Sequence, residues 1–335
     1  MTEALRQRFF DFGSAFEHAV TQQIMGLLAI VLVATPLLFV LLRQVGVVTD
    51  KLNDELWKRY LSWLIIIPAM TLPVLAGAGW TMLAVGLLGA CCYREFTKAP
   101  GVPRDRRIEV VVYLGIVGLT LAALDNYYSL FTALFALVVC LIAAAAILAD
   151  RPQGYIQRTA VGMFGYMLFG VSLLHLAFLT NDANYRPLIL LLLLVVELND
   201  VFAFCCGKLF GKRRLAPQTS PNKTIGGALG AVICTTLVVY WLGGSLFAGT
   251  ALAHPLHRVL LGASISIVGQ LGDLMLSSVK RDLGVKDMAT LLPGHGGLLD
   301  RFDSLILAAP VVFYYVNYFA GVIQDQPARV FSSLY

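Results

Sequence analysis

Residues 187–205 read PLILLLLLVVELNDVFAFC, and this stretch decides the fold. Leu188 to Val196 is unbroken apolar sequence. A bilayer core takes about 20 apolar residues in helical form, and lipid offers no partner to an exposed peptide group, so the run reads as a membrane-crossing helix. Glu197 and Asp200 stand three residues apart near its end, on one helix face, with Asn199 between them. Carboxylates are expensive at such depth. Each either does chemistry or pairs with a buried base or backbone donor.

Outward from this segment, further apolar runs lie at about 24–42, 61–77, 78–93, 108–124, 128–149, 159–180, 225–248, 256–279 and 304–323. With 58% hydrophobic and only 13% charged residues among 335, a water-soluble enzyme is excluded. The expected fold is an all-α polytopic transmembrane bundle of about ten spans. The runs 61–77 and 78–93 are short and close together, so a re-entrant hairpin is the alternative there. With the N-terminus outside, the cytoplasmic loops are 43–60, 94–107, 150–158, 206–224 and 280–303, and they hold 20 of the 25 Lys and Arg. That asymmetry favours non-cytoplasmic ends over the inverse topology. The expected parts are an amphipathic segment at 1–23, an N-terminal bundle at 24–180, a catalytic region at 181–323 and a tail at 324–335. Residues 1–23 lack the plan of a cleaved signal. Net charge of +5 is too small to suggest a nucleic-acid binder.

The six cysteines sit in or beside apolar runs and read as small core residues, without a disulfide framework or zinc spacing. Lys58, Arg59, Arg104, Arg106 and Arg107 suit anionic headgroups whatever the protein does. Asp125 falls on an outer turn beside Asn126 and Tyr127, where water reaches it. Asp273, with Gln270, sits on the ninth run as Asp200 sits on the seventh.

Two loops follow these acids. One carries Gly207, Lys208, Gly211 and Lys212, then Ser220-Pro221-Asn222-Lys223-Thr224 before Gly226 and Gly227. A helix start with glycines and a lysine suits a phosphate, although a capped turn would look the same. The other contains Ser277, Lys280, Arg281, Lys286, Asp287, His295, Gly296, Gly297, Asp300, Arg301 and Asp303. This second set, together with Val279, Ala289, Leu292, Pro293, Leu298 and Phe302, resembles the signature of the phosphatidate cytidylyltransferases, the CDP-diacylglycerol synthases. The Asn199–Gly227 region is similar to a second block of that family. Close resemblance covers about a third of the chain. Val201, Phe202 and Gly226 depart from the pattern, which bears on nucleotide contacts and lipid choice rather than on reaction class.

The resemblance implies attack of a phosphatidate phosphate oxygen on the α-phosphorus of CTP, releasing pyrophosphate. It implies Mg²⁺ as cofactor, with a monovalent cation such as K⁺ as an open second ion, held by Asp273, Asp300 and Asp303, with Asp287 auxiliary. Asp273, Lys280, Arg281, Asp300 and Arg301 are the expected catalytic set. Asp200, Ser220, Lys223, Thr224, Ser277, Lys286, His295, Gly296 and Gly297 are the expected substrate contacts. His295 is either a phosphate contact or a turn organiser, and no residue is expected to act as nucleophile. The implied setting is a bacterial inner membrane with the site facing the cytoplasm, among membrane lipids, with a homodimer open. Alternatives are CTP-dependent transfer to another lipid phosphate and, further off, an ion-coupled transporter. No strong repeat relates the two halves, and the acids and bases gather on one side rather than marking a path.

Overall fold

The computed structural model describes residues 3–45, 49–289, 296–321 and 329–332. His295 therefore lies outside the described residues. In chain order the helices are α1 (Glu3–Phe10), α2 (Ala19–Gln44), α3 (Asp50–Ala76), α4 (Ala78–Lys98), α5 (Arg106–Leu124) and α6 (Tyr128–Ile147). α7 (Tyr155–Gly165) runs through a π-helical stretch, Tyr166–Ser172, straight into α8 (Leu173–Leu179). Then come α9 (Tyr185–Phe210), the strands β1 (Arg214–Ala216) and β2 (Ser220–Thr224), α10 (Ile225–Leu246), α11 (Pro255–Asp282) and α12 (Leu299–Ala320). The bundle is helical as expected, except that the 206–224 loop contains a small antiparallel hairpin with Arg214 opposite Thr224 and Ala216 opposite Ser220.

Nine helical stretches among the described residues are long and apolar enough to cross a membrane, counting Tyr155–Leu179 as one. α4 is not among them, because its last turns carry Arg94, Glu95 and Lys98. Its anchors nevertheless show that it runs the length of the bundle. At its start, Trp80 Nε1 donates to the Phe9 carbonyl at 2.9 Å. At its finish, Glu95 accepts the N–H groups of Leu298 and Leu299, at 2.9 and 2.8 Å. At about 1.5 Å per residue, its 21 residues reach about 30 Å, the depth of a hydrocarbon core. The pair that the sequence left open as a hairpin is thus two full helices, 27 and 21 residues long, broken at Gly77.

The end of the bundle that holds Trp80 is clasped by both terminal segments. Arg8 donates to the Leu124 carbonyl at 2.9 Å, and Arg186 pairs with Asp11 at 3.1 Å while donating to Ser14 Oγ at 2.7 Å. Asp125, expected to face water, lies part-exposed on the turn after α5 and also accepts the N–H groups of Phe331 and Ser332 and the Ser332 hydroxyl. Desolvation pushes its pKa up, but these hydrogen bonds outweigh it and leave the carboxyl below its ordinary value.

Helix association in lipid relies on close packing and interhelical hydrogen bonds rather than on excluding water. Both occur where α9, α10 and α11 meet. Asn199 is 1% exposed; its Oδ1 accepts from Thr235 Oγ1 at 3.1 Å and from Ser266 Oγ at 2.5 Å. Gln270 Nε2 extends the seam to Ser266 Oγ at 3.2 Å and to the Ala228 carbonyl at 3.3 Å. The cysteines are less uniformly internal than expected: Cys92 is buried, but Cys140 and Cys205 lie on the outer surface, which on membrane helices is a lipid-facing position.

Candidate active site

α11 sets the geometry. Asp273, Ser277 and Lys280 recur at helical spacing, so they share one face, and Ser277 Oγ donates to Asp273 Oδ1 at 3.1 Å. α12 lies against this face because Gly272 has no side chain: a Cβ there would run into the backbone of Asp303 and Ser304. The first turn of α12 thereby brings Asp300, Arg301 and Asp303 to the end of α11. A carboxylate at a helix N-terminus is favoured by the free N–H groups and the macrodipole.

Asp300 is almost fully enclosed. Lys280 Nζ donates to its Oδ1 at 2.9 Å, while its Oδ2 accepts the N–H groups of Met288 and Gly297 at 3.1 and 2.9 Å. Gly296, at φ +79°, makes this fold of the loop possible, since a Cβ there would press on Asp300 Oδ2. Asp300 therefore ties the 283–299 loop to Lys280 with both its oxygens engaged.

Asp273 is more open, with its side chain 21% exposed, and it forms an ion pair with Lys223. The hairpin delivers that lysine. β2 carries Ser220, half-buried, and Lys223, and Thr224 then caps α10 by accepting the Gly227 N–H at 3.1 Å. The Ser-Pro-x-Lys-Thr block is thus both a capped turn and the carrier of a cation aimed at Asp273. Asp200, exposed on α9, interacts electrostatically with Asp273, Lys223 and Arg301. Asp303, 6% exposed, interacts with Asp273, Asp200 and Lys280. Arg301 acts on Glu197 and Asp200, and its Nε is buried without a hydrogen-bond partner among the described residues. Arg281 lies at the rim, donating to the carbonyls of Thr219 at 3.3 Å and Val285 at 3.4 Å. Lys286 and Asp287 are exposed on the loop. The structure therefore brings Asp200, Asp273, Asp300, Asp303, Lys223, Lys280 and Arg301 to one end of the bundle and leaves Arg281 and Lys286 outside this inner group.

No three His, Cys, Asp or Glu side chains among the described residues stand close enough to hold one ion unaided. Mg²⁺ does not require that, because it binds through one or two carboxylates and completes its shell with water and phosphate oxygens. Carboxylate oxygens from one or two of Asp200, Asp273 and Asp303 fit such a cation chemically.

Glu95 was not foreseen. It belongs to the 94–107 segment, which reads as a basic anchor, and its only sequence signal is an acid among bases at the end of a span. Its two hydrogen bonds cap α12 one residue before Asp300. Glu95→Ala is expected to cost about 1–2 kcal/mol, the usual value of a lost helix cap, and to lower turnover about tenfold. Glu95→Gln, which keeps an acceptor oxygen, should recover most of both. Thermal unfolding in detergent alongside turnover measures the pair.

Residues 57–319 match the model of the cytidylyltransferase family. The chain belongs to this family. The matched span takes in every described residue of the inner group, and Glu95 as well. Among curated relatives of this cytidylyltransferase-family chain, the uncharacterized protein YnbB of Escherichia coli is 34% identical over 278 residues, covering 80% of this chain and 90% of YnbB. A phosphatidate cytidylyltransferase of Brucella suis is 31% identical over 259 residues, covering 77% of this chain and 90% of its own. One from Staphylococcus haemolyticus is 45% identical over a shorter 124 residues, 37% of this chain and 46% of its own.

Proposed function

We propose that this membrane protein transfers the cytidylyl group of CTP to phosphatidate, yielding CDP-diacylglycerol and pyrophosphate, with Mg²⁺ bound. The observation that carries the reading is the meeting of Asp200, Asp273 and Asp303 with Lys223, Lys280 and Arg301 at one end of a transmembrane bundle, inside the span that matches the family. Relatives named phosphatidate cytidylyltransferase support the choice of acceptor.

In the proposed reaction a phosphate oxygen of phosphatidate forms a bond to the α-phosphorus of CTP as the bond to the bridging oxygen of the β-phosphate breaks. That oxygen leaves on pyrophosphate. A phosphatidate phosphate is already largely ionised at neutral pH, so no general base is needed. What the chain must do is hold two anions in line and balance their charge. Lys223, on the mobile end of a four-carbon stem, can turn from Asp273 to a triphosphate oxygen. Lys280 is held in place by Asp300 and presents a fixed cation at the same end. Arg301, with a free donor, suits a phosphate through a planar fork. Asp273 would hold the divalent ion with Asp303 or Asp200, and the bound ion would offset charge on phosphate oxygens.

The side with the site faces the cytoplasm in this reading. The loops at that end carry the excess of Lys and Arg, and CTP reaches them from water while the acyl tails stay in lipid.

The test is purified protein with CTP, Mg²⁺ and a panel of phosphorylated lipids, following pyrophosphate release. Turnover is expected with phosphatidate, to vanish with chelator and to return with added Mg²⁺. Turnover confined to another lipid phosphate would move the assignment to that acceptor, and ion flux without CTP consumption would overturn it.

A further inference from the structure

A cavity of about 440 Å³ lies inside the bundle, walled by α3, α4, α8, α9 and α12 through residues such as Ile66, Met70, Val85, Leu193 and Phe302. Its size falls within the roughly 300–1,000 Å³ of ligand pockets. Two features make it more than a packing defect. Ile65 and Leu87, which also line it, are 67% and 66% exposed, so the α3–α4 side of the cavity reaches the outer surface of two spans. At the other end stands Arg301, the one charged residue among those lining it, with its Nε buried and unbonded among the described residues. An apolar chamber reaching the surface of the spans and ending on a guanidinium with one unbonded N–H is complementary to an amphiphile with an anionic head.

Arg301 also belongs to the inner group, where its charge acts on Asp200. A head group bound there would lie at the site, while its tail ran back between the helices. We infer that the cavity seats one acyl chain of the lipid phosphate acceptor, which enters from the bilayer between α3 and α4 and delivers its phosphate to Arg301. This rests on the acceptor being a phosphate-bearing lipid. The two helices that the sequence left ambiguous thus form the lipid entrance, with Pro73 of α3 lining that wall.

The test uses the full-length protein in phosphatidylcholine nanodiscs, without CTP, and a phosphatidate carrying a diazirine on one acyl chain. Irradiation and peptide mapping are expected to place adducts on Ile66, Met70, Val85 or Leu193. Excess unlabelled phosphatidate should suppress them at least fivefold. Ala84→Phe, which fills the cavity from α4, should cut labelling and raise the KM for long-chain phosphatidate about tenfold, leaving the KM for CTP unchanged. Adducts elsewhere, or equal labelling by a diazirine phosphatidylcholine, would overturn the inference, and the wild-type labelling decides it even should Ala84→Phe not fold. Selective labelling in a protein that turns over no phosphatidate would refute the reaction and leave the lipid seat standing.

Discussion

Asp273→Asn is expected to lower turnover on the order of 10³-fold while leaving the protein folded. The two side chains are nearly the same shape, so the bond from Ser277 survives, and the packing of α11 on α12 depends on Gly272, not on this position. What is lost is the charge. Lys223 loses its ion partner, and the inner group loses the acid that both Asp200 and Asp303 sense most strongly among charged neighbours. With that charge gone, a divalent ion is held less well and the two substrates repel each other more. Steady-state turnover with CTP and phosphatidate, with thermal unfolding as the folding control, measures the effect. Activity within a few-fold of the parent would remove Asp273 from the mechanism.

Asp300→Ala is expected to damage stability and activity together. The Lys280 and Asp300 side chains are 12% and 4% exposed, and removing one partner of such a buried pair costs about 3–5 kcal/mol because the other charge stays behind. The N–H groups of Met288 and Gly297 lose their acceptor as well, each worth about 1–3 kcal/mol if left dry. The segment between α11 and α12 then loses its ties to Lys280 at Met288 and Gly297, and turnover should fall at least 100-fold. Adding Lys280→Met to Asp300→Ala should restore part of the unfolding temperature but none of the turnover, because it removes the stranded charge and not the missing loop contacts. Two losses that simply add would show that the pair is not coupled.

The spans were legible because lipid permits so few backbone solutions that an apolar run such as 187–205 has one reading. The inner group was legible where residue type alone carries the cost: a carboxylate such as Asp273 at membrane depth stands out in any sequence. Asp300 shows where this stops. Its type and position were recognisable, but its engagement by Lys280 and two loop N–H groups depends on how residues 280, 288 and 297 meet in space. The hairpin was hidden for a local reason, since Ser220–Thr224 contains a proline and an asparagine, both poor strand formers, and its partner Arg214–Ala216 is only three residues long. Glu95 was invisible because its partners are 203 and 204 residues further on, and nothing local marks a cap supplied from another helix.

That last bond has a consequence for how a newborn copy comes to life. Glu95 on α4 is synthesised 203 and 204 residues before its partners, Leu298 and Leu299, which come only with the start of α12. A chain made only through α11 therefore holds Lys223 and Asp273 but lacks both the N–H groups that Glu95 caps and the carboxylate that holds Lys280.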